Sequence, residues 1–317
     1  MNTTSLSRRK ALAGIGLAAS ASLLPLSLHS RPKTPPTESP FRYSLNMSTL
    51  RGQKLGFRKE LEVAAQAGYD GVEIWINSLQ EYLKQGHTPQ EVRRMIGDLG
   101  IKVEDAIGFA TWIVDDPTTR RKGMDQAKQE MELLAEIGCP RTAAPPMGAT
   151  EQPGLDLMAA AERYRALLEI GDQTGVVPQL EIWGFSKNLH TLAQVMFVAV
   201  ASQHPQAHIL PDVYHLYRGG SDIASLRLVN GEAIDVFHMN DYPTAPPREQ
   251  LKDSHRLYPG DGTGPLVEII KTLYRAGGPK LLSLELFNEA YWKQDALQVA
   301  KTGLAKMKAV VEKAMQS

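Results

Sequence analysis

The chain has one cysteine, Cys139, among 317 residues. A single thiol forms no internal disulfide and no cysteine-based zinc site, so any metal must be held by carboxylates and imidazoles. A surplus of either charge is also missing: Lys+Arg and Asp+Glu both number 35, giving a formal net charge of zero. A neutral chain exerts no long-range pull on nucleic acid or anionic lipid, so neither is an expected partner. Aromatic residues make up only 7%, but apolar residues reach 43%, enough for a large buried core. Nucleotide-binding loops are lacking as well. Gly14-Ile15-Gly16 imitates a dinucleotide fingerprint, but no strand precedes it. The glycine-rich run Pro259–Pro265 has neither the lysine nor the helix of a phosphate-binding loop, and reads instead as a rigid turn presenting Arg256.

The first forty residues read as something other than fold. Ser7-Arg8-Arg9-Lys10 precedes an apolar run from Ala11 to Leu28, the layout of an export signal, and its arginine pair resembles a twin-arginine signal. A membrane anchor is the alternative, although the run of about 18 residues is at the lower limit for spanning. Residues 1–30 are therefore expected to be a twin-arginine-type signal, directing the protein to the periplasm or outside the cell. Its cleavage would leave no stable membrane span. Residues 31–40, RPKTPPTESP, form a proline-rich linker, and the folded domain is expected over residues 41–317.

Within that domain, short apolar runs alternate with helix-patterned stretches. They cover residues 43–47, 71–76, 101–107, 141–144, 177–182, 207–212, 234–239 and 281–287. Most start about 26–38 residues apart, the length of one strand–helix unit, with a longer seventh interval that implies an extra loop. Helical spacing of apolar residues marks the intervals, as in 57–65 and 124–137. Eight strand–helix units close into a parallel barrel, so the expected fold class is an α/β (β/α)₈ TIM barrel. An open doubly wound sheet would usually have fewer strands and a glycine-rich first turn, whereas here that turn is Ser48-Thr49-Leu50-Arg51.

A barrel of this kind carries its chemistry at the C-terminal ends of its strands. Glu181, Asp212, His238 and Glu285 end strands five to eight. Any one acid there is more often a helix cap or an ion-pair partner. Four metal-competent side chains on consecutive strands are a different matter, because three carboxylates converging without a cation repel one another. The set is oxygen-rich and suits one divalent ion, with Mn²⁺, Mg²⁺ or Co²⁺ favoured and Zn²⁺ also accommodated. Trp183 and Phe185, beside Glu181, either wall a sugar face or pack in the core. Glu73 and Trp75 end strand two and give only a weak signal for the pocket.

The segments Leu180–Phe185, Pro211–His215, Phe237–Asp241, His255–Gly262 and Ser283–Phe287 resemble the xylose-isomerase-like superfamily of sugar isomerases and epimerases. The look is closest to 2-keto-myo-inositol isomerases, and the resemblance runs from about Tyr43 to the C-terminus. It implies that Glu181, Asp212, His238 and Glu285 bind the metal. It also implies that Glu181 and Glu285 handle protons on opposite faces of the substrate, and that His215 and Arg256 contact substrate oxygens. The expected activity is isomerisation or epimerisation of a keto-sugar or keto-inositol through an enediolate. Its partner would be a small sugar or polyol, and a homodimer is the assembly to test for. The export signal argues against a phosphorylated substrate. It raises a second enzymatic reading, a β-eliminating 3-keto-glycoside lyase, and a third from another class, a non-catalytic periplasmic sugar-binding barrel.

Overall fold

A computed structural model describes residues 40–278 and 280–317. The expected signal (1–30) and, apart from Pro40, the linker (31–40) lie outside the described residues. Eight strands follow in order: β1 (Phe41–Asn46), β2 (Gly71–Trp75), β3 (Lys102–Ile107), β4 (Arg141–Ala144), β5 (Val177–Glu181), β6 (His208–Leu210), β7 (Val236–Met239) and β8 (Lys280–Leu284). The helices are α1 (Phe57–Ala67), α2 (Ile76–Lys84), α3 (Pro89–Asp98), α4 (Pro117–Ile137), α5 (Leu157–Thr174), α6 (Leu192–Ala201), α7 (Val213–Gly219), α8 (Leu266–Ala276) and α9 (Ala296–Gln316). None among the described residues is long and apolar enough to cross a membrane.

Local chemistry explains the boundaries. Thr88 and Glu91 form a capping box at the start of α3, with Pro89 in its first turn. Asp116, Asp156 and Asp295 cap α4, α5 and α9 by accepting backbone N–H groups that would otherwise be unpaired. Gly303 in α9 has its reason in packing. A Cβ there would sit 2.1 Å from Leu284 Cδ2, so the glycine lets α9 lie directly on β8.

All ladder pairings are parallel, in the orders β3-β2-β1-β8-β7 and β4-β5-β6. Two seams join the sheets into a barrel. At one, His238 N donates to Pro211 O (2.9 Å) in an isolated bridge that pairs Asp212 with His238. At the other, the side chains of Arg141 and Thr142 donate to the backbone carbonyls of Glu104 (3.1 Å) and Ala106 (3.1 Å). The barrel expected from the sequence is the fold observed.

Side chains alternate faces along a strand, so Val236 and Leu210 point the same way as His238 and Asp212 two residues on. With Ile107, Ala143 and Leu281 they form a small apolar cluster inside the barrel, and the polar rim stands on top of it. Strand six is shorter than expected, ending at Leu210; after Pro211, Asp212 makes one isolated bridge to His238 and caps α7. The long interval before β8 holds two short 3₁₀ turns, Arg248–Gln250 and Asp253–His255, and then α8.

Candidate metal centre and active site

Glu181 is the last residue of β5, His238 lies in β7, and Glu285 immediately follows β8. All three are buried, and each offers a ligand atom within 4.8 Å of the others. Glu181 Oε2 and His238 Nδ1 are both shielded from solvent; the first has no hydrogen-bond partner, and the second lies 3.1 Å from Glu285 Oε2 without a well-aligned hydrogen bond. Leaving a buried polar atom unpaired costs about 1–3 kcal/mol. Two such atoms facing a third donor on Glu285 fit a divalent cation, which would satisfy them together.

Asp212 stands at the edge of this trio. Its Oδ2 is 3.7 Å from His238 Nδ1, but it also accepts from Arg256 Nη1 (2.6 Å) and Asn240 Nδ2 (2.8 Å). Its Oδ1 caps α7 through His215 N (2.7 Å). To serve as the fourth ligand, as the sequence suggests, it would have to trade the guanidinium contact for the ion.

The protonation pattern is uneven. Burial, reinforced by the neighbouring Glu285, pushes Glu181 up to about 8. Burial also raises Glu285, but His238 and Arg256 outweigh it and hold Glu285 well below the usual carboxylate range. Burial works against a charged His238, yet Glu285 (3.1 Å from Nδ1) and Glu73 overcome it and raise its affinity for a proton.

Glu73 is the residue the sequence reading undervalued. It is fully buried on β2. It meets His238 Nε2 at 2.8 Å and accepts from Asn46 Nδ2 (2.7 Å) and Ser283 Oγ (2.7 Å). A carboxylate behind Nε2 fixes the ring so that Nδ1 faces the trio. Asn46 ends β1 and also donates to Glu285 Oε1 (3.2 Å). Asn46 is the end of strand one, whereas Glu73 lies two residues before the end of β2, on the same face as Trp75. Asn240, which bridges Asp212 and Tyr214 N, and Asp253, which pairs with Arg256, carry no such signal.

Arg256 and His215 do reach the site, but deeper than a substrate contact requires. Arg256 is 1% exposed, and its guanidinium pairs with Asp212, Glu285 (2.8 Å) and Asp253 (2.8 Å). His215 Nδ1 faces Gly184 N (3.2 Å) and its Nε2 faces Arg256 Nη2 (3.0 Å). Both neighbours are donors, and a neutral ring has only one acceptor nitrogen, so one of these contacts is not a hydrogen bond. Burial and Arg256 hold His215 down to about 3. Its surroundings therefore favour the neutral ring.

The turn behind Arg256 is rigid, as expected. Asp241 accepts N–H groups from Gly260 (3.0 Å), Gly262 (3.0 Å), Gly264 (2.8 Å) and Tyr242 (2.8 Å). A Cβ on Gly262 would lie 2.3 Å from Tyr242 O. The protein's own carboxylate fills the cradle that a phosphate would need.

Above the carboxylates the aromatic side chains form a closed collar. Ring centroids are 6.2 Å apart for Phe287–Trp75, 5.2 Å for Trp75–Phe109, 6.4 Å for Phe109–Trp183, 5.3 Å for Trp183–Phe185 and 5.8 Å for Phe185–His215. Arg256 closes the circuit, with its Cζ 5.2 Å from the Phe287 ring. Trp183 is half-buried within this wall, beside Phe185, which is 40% exposed. Trp183 thus packs between Phe109 and Phe185 in this ring of aromatic side chains.

Comparison with known proteins agrees with this architecture. The xylose isomerase-like TIM barrel family matches residues 61–310. A 3-dehydroshikimate dehydratase of Pseudomonas putida is 29% identical over 257 residues, which cover 78% of this chain but only 38% of the dehydratase. An inosose isomerase of Bacillus velezensis is 28% identical over 271 residues, 84% of this chain and 95% of the relative. Among solved structures, the IolI protein with a bound zinc atom superposes with a TM-score of 0.81 at 24% identity, covering 86% of this chain and 99% of that one. That likeness, like the TM-score of 0.69 at 20% identity to an L-ribulose 3-epimerase covering 87% of this chain and 96% of that one, is one of fold. The chain belongs to the xylose isomerase-like TIM barrel family.

Proposed function

We propose that this protein is a divalent-metal-dependent enzyme that isomerises or epimerises a keto-sugar or keto-inositol, beginning with removal of the proton next to the carbonyl. One observation carries the reading. Glu181, His238 and Glu285 each bring a ligand atom within 4.8 Å of the others in a buried site, and Glu181 Oε2 among them has no hydrogen-bond partner. Two carboxyl groups converging on one such site can serve as an acid–base pair.

Glu181, His238 and Glu285, with Asp212 as fourth ligand, would hold the ion. The carboxylate-rich set suits Mn²⁺, Mg²⁺ or Co²⁺ and also accommodates Zn²⁺. A divalent ion there supplies a Lewis acid for the substrate carbonyl and for the charge left by proton loss. Of Glu181 and Glu285, one would take the α-proton and the other would give its own proton back to carbon, each then resetting with solvent. Arg256 and Asn46 fix the Glu285 carboxylate on its two oxygens. The collar sheds water from the reacting carbon and offers ring faces to the C–H side of a cyclic polyol.

The test is solvent deuterium incorporation by metal-loaded protein into a panel of keto-sugars and keto-inositols. Wild-type protein should label the α-carbon, and Glu285→Gln should slow this about 10²–10⁴-fold. Full exchange by the variant would sink the mechanism.

The similarity to a dehydratase favours a second outcome from the same first step. If the carbanion expels a β-substituent, the reaction is an elimination, releasing water or, from a 3-keto-glycoside, the aglycone. Detection of an unsaturated ketone rather than an isomer separates the two. We also infer, from Arg8-Arg9 and the apolar run that follows, export by the twin-arginine route.

A further inference from the structure

Two guanidinium groups lie against the collar, and they differ in one respect. Arg256 is buried and already held by three carboxylates. Arg51, in the 3₁₀ turn Met47–Gln53 after β1, is exposed, and its Cζ sits 4.5 Å from the Trp75 ring centroid. Among the described residues its side chain has no hydrogen bond and no ion pair.

We propose that Arg51 determines substrate specificity by docking a carboxylate carried on the ring of the substrate. The proposal rests on the reading of the site given above and names the substrate class within it: a cyclic keto-polyol acid.

Three observations support it. The first is placement. Trp75 is held in position because its Nε1 donates to Asn46 Oδ1 (3.2 Å), and Asn46 donates to Glu285 Oε1. The guanidinium is thus two fixed side chains away from the acid–base group. The second is availability. The Arg51 guanidinium lies over the Trp75 ring with none of its N–H groups engaged by a carboxylate, and a guanidinium fork matches a carboxylate in two parallel hydrogen bonds. The third is charge. On the floor Arg256 is taken up by Asp212, Glu285 and Asp253 and His238 lies against Glu73 and Glu285, so neither has charge to spare for a substrate anion. Arg51 is the one cation against the collar, among the described residues, that no carboxylate has claimed. A single fork suits a carboxylate monoanion better than a phosphate dianion.

The test compares two probes on the metal-loaded full chain by calorimetry: quinate, a cyclic polyol carrying a carboxylate, and myo-inositol, which is neutral. Quinate should bind about 10-fold more tightly or better, the scale of a hydrogen bond to a charged group. Arg51→Met keeps the stem over Trp75 but removes the charge. It should erase the advantage of quinate while leaving myo-inositol affinity within about twofold, and Arg51→Lys should keep part of the advantage. No quinate binding, equal affinity for both probes in the wild type, or an equal loss for both in Arg51→Met would overturn the proposal. These outcomes are independent of proton exchange, so failure here is distinct from failure of the isomerase reading.

Discussion

Replacing Glu73 by glutamine tests how the site holds its metal. The carboxylate is fully buried and receives three groups: the His238 imidazole at 2.8 Å, the Asn46 amide at 2.7 Å and the Ser283 hydroxyl at 2.7 Å. Glutamine has the same shape, but it carries no charge and turns one acceptor into a donor. At least one of the three partners then meets a donor and loses its bond. The charge that keeps the His238 Nε2 proton in place, and so aims Nδ1 at the trio, disappears as well. Loss of such an outer partner typically weakens metal binding about 10–100-fold, equivalent to about 1.4–2.7 kcal/mol. The assay is a chelator competition titration with the metal found in the purified protein, paired with circular dichroism to confirm the fold. A variant that stays folded and binds metal within about twofold of wild type would refute the argument that Glu73 orients the ligand.

Other outcomes follow from the same geometry. Glu60 lies on α1, 8% exposed and with Oε2 unpaired, and burial pushes its carboxyl up to about 7. Because its folded value exceeds the unfolded one, the folded state binds the extra proton between about 4.5 and 7, and stability falls as pH rises through that window. Glu60→Gln should therefore melt higher at pH 8 by about 1–3 kcal/mol and differ little at pH 4; identical melting shifts at the two pH values would contradict this. Asp241→Ala strands the N–H groups of Gly260, Gly262, Gly264 and Tyr242. It should lower stability by about 2–4 kcal/mol and also reduce turnover, because Arg256 loses its rigid turn; unchanged denaturant midpoints would count against it. Replacing Arg8 and Arg9 by lysine should retain the protein in the cytoplasm of a host with a twin-arginine translocase, and an unchanged periplasmic fraction would rule out that route.

The regular alternation of apolar runs was enough to specify the barrel. Strand and helix periods are local properties, and eight such units have one closed arrangement. Glu181, His238 and Glu285 were legible for the same reason, since a strand end is a position along the chain and the barrel turns that position into the rim. The glycine-rich run was expected to lack a following helix, but α8 starts at Leu266 directly after it, and what fills its ring of N–H groups is Asp241.

What the sequence could not supply was the network across the barrel. Glu73 precedes its partner His238 by more than half the chain, and nothing local to β2 shows that the imidazole waits opposite it. Asp212 looked like a plain ligand, yet in space it also caps α7 and pairs with Arg256, which places it at the edge of the trio. His215 was expected to contact substrate oxygens, and in space its ring lies between Gly184 N and the Arg256 guanidinium. The collar joins Trp75 at the end of β2, Phe109 after β3, Trp183 and Phe185 after β5 and Phe287 after β8, and it leaves Arg51 free on its rim. Identity and spacing along the chain determine which groups reach the mouth of the barrel. Only closure of the barrel decides which of them neutralise one another and which are left to meet a metal or a substrate.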